Sequence, residues 1–231
     1  MIFITFIVKN TIDNYYRFFQ TNRGGVYMKR KIILVSFMFI LFSVPVFAQS
    51  KTYIVQPGDS MWKIAVKHQI GLSEIISANP QIKNPALIYP NQKLTIPNID
   101  DVKSLENEVI KLVNAERAKQ GLSPLKANWE LSRVARLKSQ DMIDKNYFSH
   151  QSPTYGSPFS MMESFGIRYS SAGENIAKGQ QTPSQVMNAW MNSPGHRSNI
   201  LSASYSEIGV GLATNKNGVK YWTQMFIRPS K

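Results

Sequence analysis

The chemistry open to this 231-residue chain is concentrated in a few short blocks. Its three histidines are His68, His150 and His196, and it contains no cysteine. Two histidines lie in dense polar and aromatic runs, Tyr147-Phe148-Ser149-His150 and Trp190-Met191-Asn192-Ser193-Pro194-Gly195-His196-Arg197. A third block, Ala172-Gly173-Glu174-Asn175-Ile176-Ala177, supplies a carboxylate, and a fourth reads Tyr221-Trp222-Thr223-Gln224. Two imidazoles can ligate a divalent cation, and a carboxylate can fix a bound water or accept its proton. The same residues also have plainer uses. His150 and Glu174 can hydrogen-bond each other and pin loops, His196 can cap a turn, and Asn175 can satisfy loop backbone. Other chemistries are excluded or unsupported. There is no thiol chemistry or Cys-based zinc site, no Gly-x-Ser-x-Gly elbow, and Ser149 beside His150 does not make a triad. Paired carboxylates for glycoside cleavage are not evident, so binding is better supported than cutting.

The elements that must position these blocks begin near Val102. Asp101 is placed to cap a helix with Val102, Leu105, Val109, Leu112 and Val113 at helical spacing, ended by Gly121. Asn128 opens a second helix, with Leu131, Val134, Ala135 and Met142 on one side. Thr182-Pro183 starts a third, with Val186, Ala189 and Trp190 following. Ile208, Val210 and Leu212 alternate with Gly209, Gly211 and Ala213; Asn217-Gly218 signals a hairpin and Tyr221 to Ile227 returns as a strand. Helices first and an antiparallel pair last predict an α+β layer structure.

A smaller unit precedes it. Tyr53-Ile54-Val55 reads as a strand, Pro57-Gly58-Asp59 as a turn, and Ser60 as the cap of a helix through Trp62, Ile64, Ala65 and Val66, with Trp62 in the core. A second helix is expected over Leu72 to Ala78 and a returning strand at Leu94-Thr95-Ile96. His68 reads as solvent-facing. Asn98-Ile99-Asp100-Asp101 makes a very short joint, which predicts little relative movement between the units.

Upstream, Met28-Lys29-Arg30-Lys31, the apolar run from Ile32 to Phe47 and Val46-Phe47-Ala48 have the order of a signal peptide over residues 28–48, cleaved after Ala48 and leaving no transmembrane anchor. Residues 1–27 then read as a misassigned upstream start, with Met28 as the initiator. From Gln49 onward there are 21 Lys and Arg against 13 Asp and Glu, a net +8 of the full +13. That balance suits an anionic wall polymer or a phospholipid surface. The lysines are scattered, without a basic run interleaved with aromatics, which argues against nucleic acid.

Residues 51–97, from Tyr53-Ile54-Val55-Gln56-Pro57-Gly58-Asp59-Ser60-Met61-Trp62-Lys63-Ile64-Ala65 through Ala78-Asn79-Pro80 to Ile88-Tyr89-Pro90-Asn91-Gln92-Lys93-Leu94-Thr95-Ile96-Pro97, resemble a LysM module, a βααβ unit. The resemblance implies binding of peptidoglycan or another N-acetylglucosamine glycan. By position the glycan-binding residues would be Gly58, Asp59, Ser60 and Met61 in one loop and Asn79, Pro80, Gln81 and Ile82 in the other. Residues 102–231 resemble the CAP superfamily, closest to its bacterial secreted branch. The four blocks above carry this likeness, with Asn114-Ala115-Glu116-Arg117 and Leu122-Ser123-Pro124-Leu125. It implies an α-β-α sandwich with a cleft. In many members of that superfamily two histidines and two glutamates line the cleft, and some bind zinc. His150 and Glu174 match the first of each, and His196 is the nearest second histidine. A divalent cation held by His150 and His196 is therefore an implied cofactor. A second glutamate has no match, and Glu207 is the one acid nearby that could serve. The implied function is a secreted, wall- or spore-envelope-associated binder whose partner is a coat or wall protein, or a lipid. The alternatives are a wall hydrolase or protease using a His150, Glu174, His196 cleft, and a lipid- or sterol-binding protein.

Overall fold

A computed structural model describes residues 50–230. The leader readings for 1–27 and 28–48 lie outside the described residues. Among those described, no helix is long and apolar enough to cross a membrane.

The small unit is βααβ: β1 (Lys51–Ile54), α1 (Met61–His68), α2 (Leu72–Ser77) and β2 (Lys93–Ile96). The strands pair antiparallel, Lys51 opposite Ile96 and Ile54 opposite Lys93. Ser60 caps α1 by accepting from the Lys63 amide. Its core is Val55, Met61, Ile64, Ala65, Ile70, Ile75, Leu94 and Ile96. Trp62 does not join it: the side chain is 62% exposed. Helical phase explains the difference, because Met61, Ile64 and Ala65 fill the inward stripe and position 62 falls outside it. His68 also departs from expectation. It is half-buried, edge-on to Tyr53 at 5.5 Å, and its Nε2 is buried without a hydrogen-bond partner.

The large unit starts with α3 (Asp100–Lys119). Asp101 does not cap it; the helix begins one residue earlier, at an Ile99 cap with no side-chain bond. The joint shrinks to Asn98 and Ile99, and Ile99 packs on the small unit's core. There follow β3 (Lys126–Ala127), α4 (Trp129–Asp144), α5 (Pro158–Ser164), β4 (Tyr169–Lys178), α6 (Pro183–Met191), α7 (Pro194–Ile200), β5 (Glu207–Thr214) and β6 (Lys220–Pro229). Asn128 caps α4, and Thr182 with Gln185 forms a capping box on α6. The sheet order is β3-β5-β6-β4, with β3 parallel to β5 and the other pairs antiparallel. The sequence reading missed β3, α5, β4 and α7.

Alternation along β6 divides the sheet's two faces. Trp222 and Phe226 pack with Val109, Val113, Val186, Trp190 and Ile200 from α3, α6 and α7. Met225 and Ile227 pack with Leu131, Val134, Ala135, Met161 and Met162 from α4 and α5. This is the α-β-α sandwich, and the fold is α+β. Gly209 and Gly211 let α4 lie directly on β5. A Cβ at 211 would sit 2.0 Å from the Arg136 amide nitrogen, and one at 209 only 2.4 Å from Leu131 and Ser132 backbone. The hydroxyl of Ser139 exploits the approach, donating to the Gly211 carbonyl at 3.1 Å and lying 2.9 Å from that of Thr223.

The two units also touch. Arg133 on α4 donates to both carboxylate oxygens of Glu74 on α2, at 3.0 and 3.1 Å. Gly71 makes room for this pair, since a Cβ there would meet the Glu74 and Arg133 side chains within 2.2 Å. Inside the large unit, Glu106 is buried against Arg136 at 3.0 Å and accepts from the Leu212 amide. The Arg136 contact is close but poorly aligned for a hydrogen bond. Burial outweighs the guanidinium and lifts the Glu106 carboxyl to about 7.

Two outcomes are expected. Gly211→Ala should cost about 3 kcal/mol in denaturant unfolding, the overpacking range; a cost under about 1 kcal/mol would show that α4 can shift freely. Glu106 in the native state keeps its proton to higher pH than in the unfolded chain. Stability present below the ordinary value near 4.5 is therefore lost as pH rises through about 7. Thermal melts from pH 5 to 8 should show this decline, and Glu106→Gln should flatten it.

Candidate functional site

In the small unit the two loops are held by side chains that face inward. Asp59 accepts from the Gln56 amide and the Tyr53 hydroxyl, both at 2.8 Å, and these bonds hold its carboxyl below the usual range despite partial desolvation. Lys63 donates to the Gly58 carbonyl at 2.7 Å, and Gly58 itself has φ +84. The second loop hangs on Asn79, only 1% exposed. It donates to the Ile75 and Thr95 carbonyls and accepts from the Thr95 amide at 2.7 Å, clasping α2 to β2. Gln81 in turn donates to Asn79 Oδ1. Met61 is buried in the core at 3% exposure. Of the eight expected contact residues, Met61 and Asn79 thus support the loops from beneath. Gly58, Pro80 and Gln81 lie exposed, with Asp59, Ser60 and Ile82 half-buried.

In the large unit, His150 Nδ1 lies 2.7 Å from Glu174 Oε1. Glu174 is on β4, a regular strand, and its side chain is buried while that of His150 is 53% exposed. Burial pushes the Glu174 carboxyl up, opposed by the His150 bond and the Lys138 charge. Its second oxygen, Oε2, is buried with no hydrogen-bond partner. Below the pair sits Lys138 on α4, fully buried, donating to the His150 carbonyl at 2.8 Å and the Tyr147 hydroxyl at 3.1 Å. Desolvation draws its ammonium down, and Glu174 and Asp141 push back. Asp141 accepts from the hydroxyls of Tyr147 (2.6 Å), Ser152 (2.7 Å) and Thr154 (2.6 Å). Burial alone would raise that carboxyl, but the three donors hold it below its usual range. The 147–154 loop that carries His150 is therefore fastened to α4 by one lysine and one aspartate.

Asn175 follows Glu174 and, by strand alternation, faces the other way. It is fully buried, donating to the His196 carbonyl at 3.0 Å and to Gln224 Oε1 at 3.1 Å, and accepting from Asn199 at 2.8 Å. The loop reading of Asn175 is thus corrected to a strand, and that of His196 to helix α7. Because β4 edges the sheet, the two faces meet at its rim. Burial, with the charge of His150 added, lowers the His196 imidazole below its ordinary value. Glu207 is elsewhere, accepting from Asn128 at 2.7 Å.

For a resident zinc ion the ligands are too few: Glu207 is held by Asn128, and among the described residues no group of three or more His, Cys, Asp or Glu is placed to hold a metal ion. What the geometry offers is an exposed imidazole oriented by a buried carboxylate, able to hold or pass a proton at its free Nε2. The sequence reading passed over Lys138 and Asp141. The signal was present: Leu131, Val134, Ala135, Lys138 and Met142 share one helical stripe, so a lysine sits where the core should be. The Asn114 and Arg117 motif is structural. Asn114 exchanges hydrogen bonds with Leu125, and Arg117 donates to the carbonyls of Ser123, Ile200 and Ser202. If the two imidazoles share one field, His150→Ala should raise the His196 pKa in an NMR titration; an unmoved or lowered value would separate them.

A model of the LysM domain matches residues 53–97, and one of the cysteine-rich secretory protein family, CAP, matches 110–226. Uncharacterized protein YkwD of Bacillus subtilis is 61% identical over 126 residues, which is 54% of this chain and 48% of that protein. SpoIVD-associated factor A of the same organism is 46% identical over 48 residues, 21% of this chain and 12% of its own length. The chain thus spans about half or less of the curated relatives it matches. An extracellular SCP-domain protein from Bacillus anthracis superposes with a TM-score of 0.52 at 34% identity, covering 60% of this chain and 47% of that one. An outer surface protein from Borrelia burgdorferi shares the fold at a TM-score of 0.52 and 17% identity, covering 58% of this chain and 96% of that one. With its sandwich, its edge-strand glutamate and the matched span in agreement, the chain belongs to the CAP family and carries a LysM domain ahead of its CAP domain.

Proposed function

We propose that this is a secreted protein that attaches to peptidoglycan, or another N-acetylglucosamine glycan, through its LysM domain and presents its CAP cleft to a partner in the wall or spore envelope. The observation that carries the reading is the pair of LysM loops, Gly58–Met61 and Asn79–Ile82, held open by inward bonds from Asp59 and Asn79. Gly58, Pro80 and Gln81 are then left exposed, where they can meet N-acetyl and hydroxyl groups of a sugar chain. The net +8 from residue 49 onward favours an anionic wall. Two relatives of the LysM segment, SpoIVD-associated factor A and the spore coat assembly protein ExsA of Bacillus cereus, support the spore setting by name. The full chain should pellet with purified sacculi and bind chitotetraose. Gly58→Val, which forces a β-branched residue into a left-handed backbone, should weaken chitotetraose about tenfold, some 1.4 kcal/mol. Failure of the wild type to bind either would end the reading.

One observation favours a second reading. The His150–Glu174 pair, with Glu174 Oε2 unpartnered, has the form of an oriented general base. On that reading the domain hydrolyses a wall component. Wall material incubated with wild type should then release sugar or peptide products that the His150→Ala and Glu174→Ala variants do not. If wild type releases none, the hydrolase reading falls.

A further inference from the structure

A hollow of about 200 Å³ lies where the LysM and CAP domains meet, and neither expected site uses it. Its LysM wall includes Trp62, Val66 and Leu72; its CAP wall includes Trp129, Arg133 and Phe165. Both walls are held in place. Glu74 and Arg133 bridge them, and only three residues separate β2 from α3.

Three features of this hollow converge on a sugar. The first is Trp62, a large aromatic left 62% exposed on a helix whose neighbours are in the core. The sandwich core does not claim it, and its own domain does not bury it. The second is the pair Trp129 and Phe165, half-buried in the CAP wall, with the Arg133 guanidinium lying 5.4 Å from the Phe165 ring centre. Flat aromatic faces pack against the C–H faces of pyranose rings, which are apolar although their edges carry hydroxyls. The third is polar and sits at the rim. Glu130 is exposed, and Arg133 spends Nε and Nη2 on Glu74 and Ser73, leaving Nη1 for an acceptor. A mixed wall of aromatics with one acid and one guanidinium suits alternating C–H and O–H surface better than it suits a lipid chain, which offers no partner for the polar rim. Trp62 also sits in the first turn of α1, whose first residue, Met61, closes the first glycan loop.

We infer that the LysM–CAP junction is a glycan subsite, in which Trp62, Trp129 and Phe165 receive further sugars of a chain already gripped by the LysM loops. The assignment rests on the glycan-binding reading of those loops. On this account the CAP domain extends the sugar-binding surface, and the chain length recognised is set by both domains together.

The test is calorimetric titration of the mature two-domain protein with chitotriose and chitohexaose. Wild type should bind chitohexaose roughly tenfold tighter than chitotriose. Trp129→Ala and Phe165→Ala, both on the CAP side, should each shrink that ratio to about two or three while leaving chitotriose within about twofold of wild type. Trp129→Phe, which keeps a flat face, should retain most of the ratio. The subsite is overturned if wild type shows no length preference, or if the ratio survives both alanine variants. It is equally overturned if those variants lose chitotriose in step, because they would then act on the LysM fold and not on added sugars. Chitotriose binding with an untouched ratio removes the junction alone; no binding of either oligomer by wild type removes the glycan reading with it.

Discussion

The large domain depends on how closely α4 can approach β5. Only a hydrogen at positions 209 and 211 allows the helix backbone to lie against the strand. At that distance Ser139 reaches the sheet, and its near neighbours Lys138 and Asp141 are carried to its end. There they meet the 147–154 loop and Glu174. A wider helix–sheet gap would leave an ammonium and a carboxylate buried without partners, each at the desolvation cost of an unpaired charge. The glycines are thus part of the site although they lie well away from it.

The site has a layered logic. Asp141 gathers three hydroxyls, Lys138 holds a carbonyl and one of the same hydroxyls, and Glu174 leaves His150 with one nitrogen fixed and one free. Glu174, raised by burial, is balanced by the ring it holds and by the ammonium beneath it. The neighbouring residue Asn175 does the equivalent work on the opposite face, tying α7 and β6 to the edge strand. One dipeptide on one strand therefore organises both sides of the sheet's rim, which is why His150 and His196 sense each other from different layers.

Much of this was legible in the sequence. Asn128, Thr182 with Pro183, and Ser60 announced their helices, because a cap is a local event that a few residues specify. Alternation of Ile208, Val210 and Leu212 with glycines announced a buried strand and the close face beside it. The pairing of His150 with Glu174 was also anticipated. What was missed is non-local. β4 holds Glu174 and Asn175, two polar residues whose partners come from elements 20 to 50 positions away, so its segment carries little strand signal of its own. Trp62 was assigned to the core on its hydrophobicity; phase within one short helix decided otherwise. The expected cation site gains no third ligand among the described residues, because Glu207 is turned to Asn128, which spacing alone could not show.

The short joint has a further consequence. Ile99 belongs at once to the LysM core and to the start of α3, so neither domain can lose its packing without loosening the other's first turn. With the Glu74–Arg133 clasp across the same seam, the described residues leave no pliant tether between the two domains for a protease to find. A seam of this kind couples the stability of the two domains, and a ligand gripped by one would be held at a fixed orientation to the other.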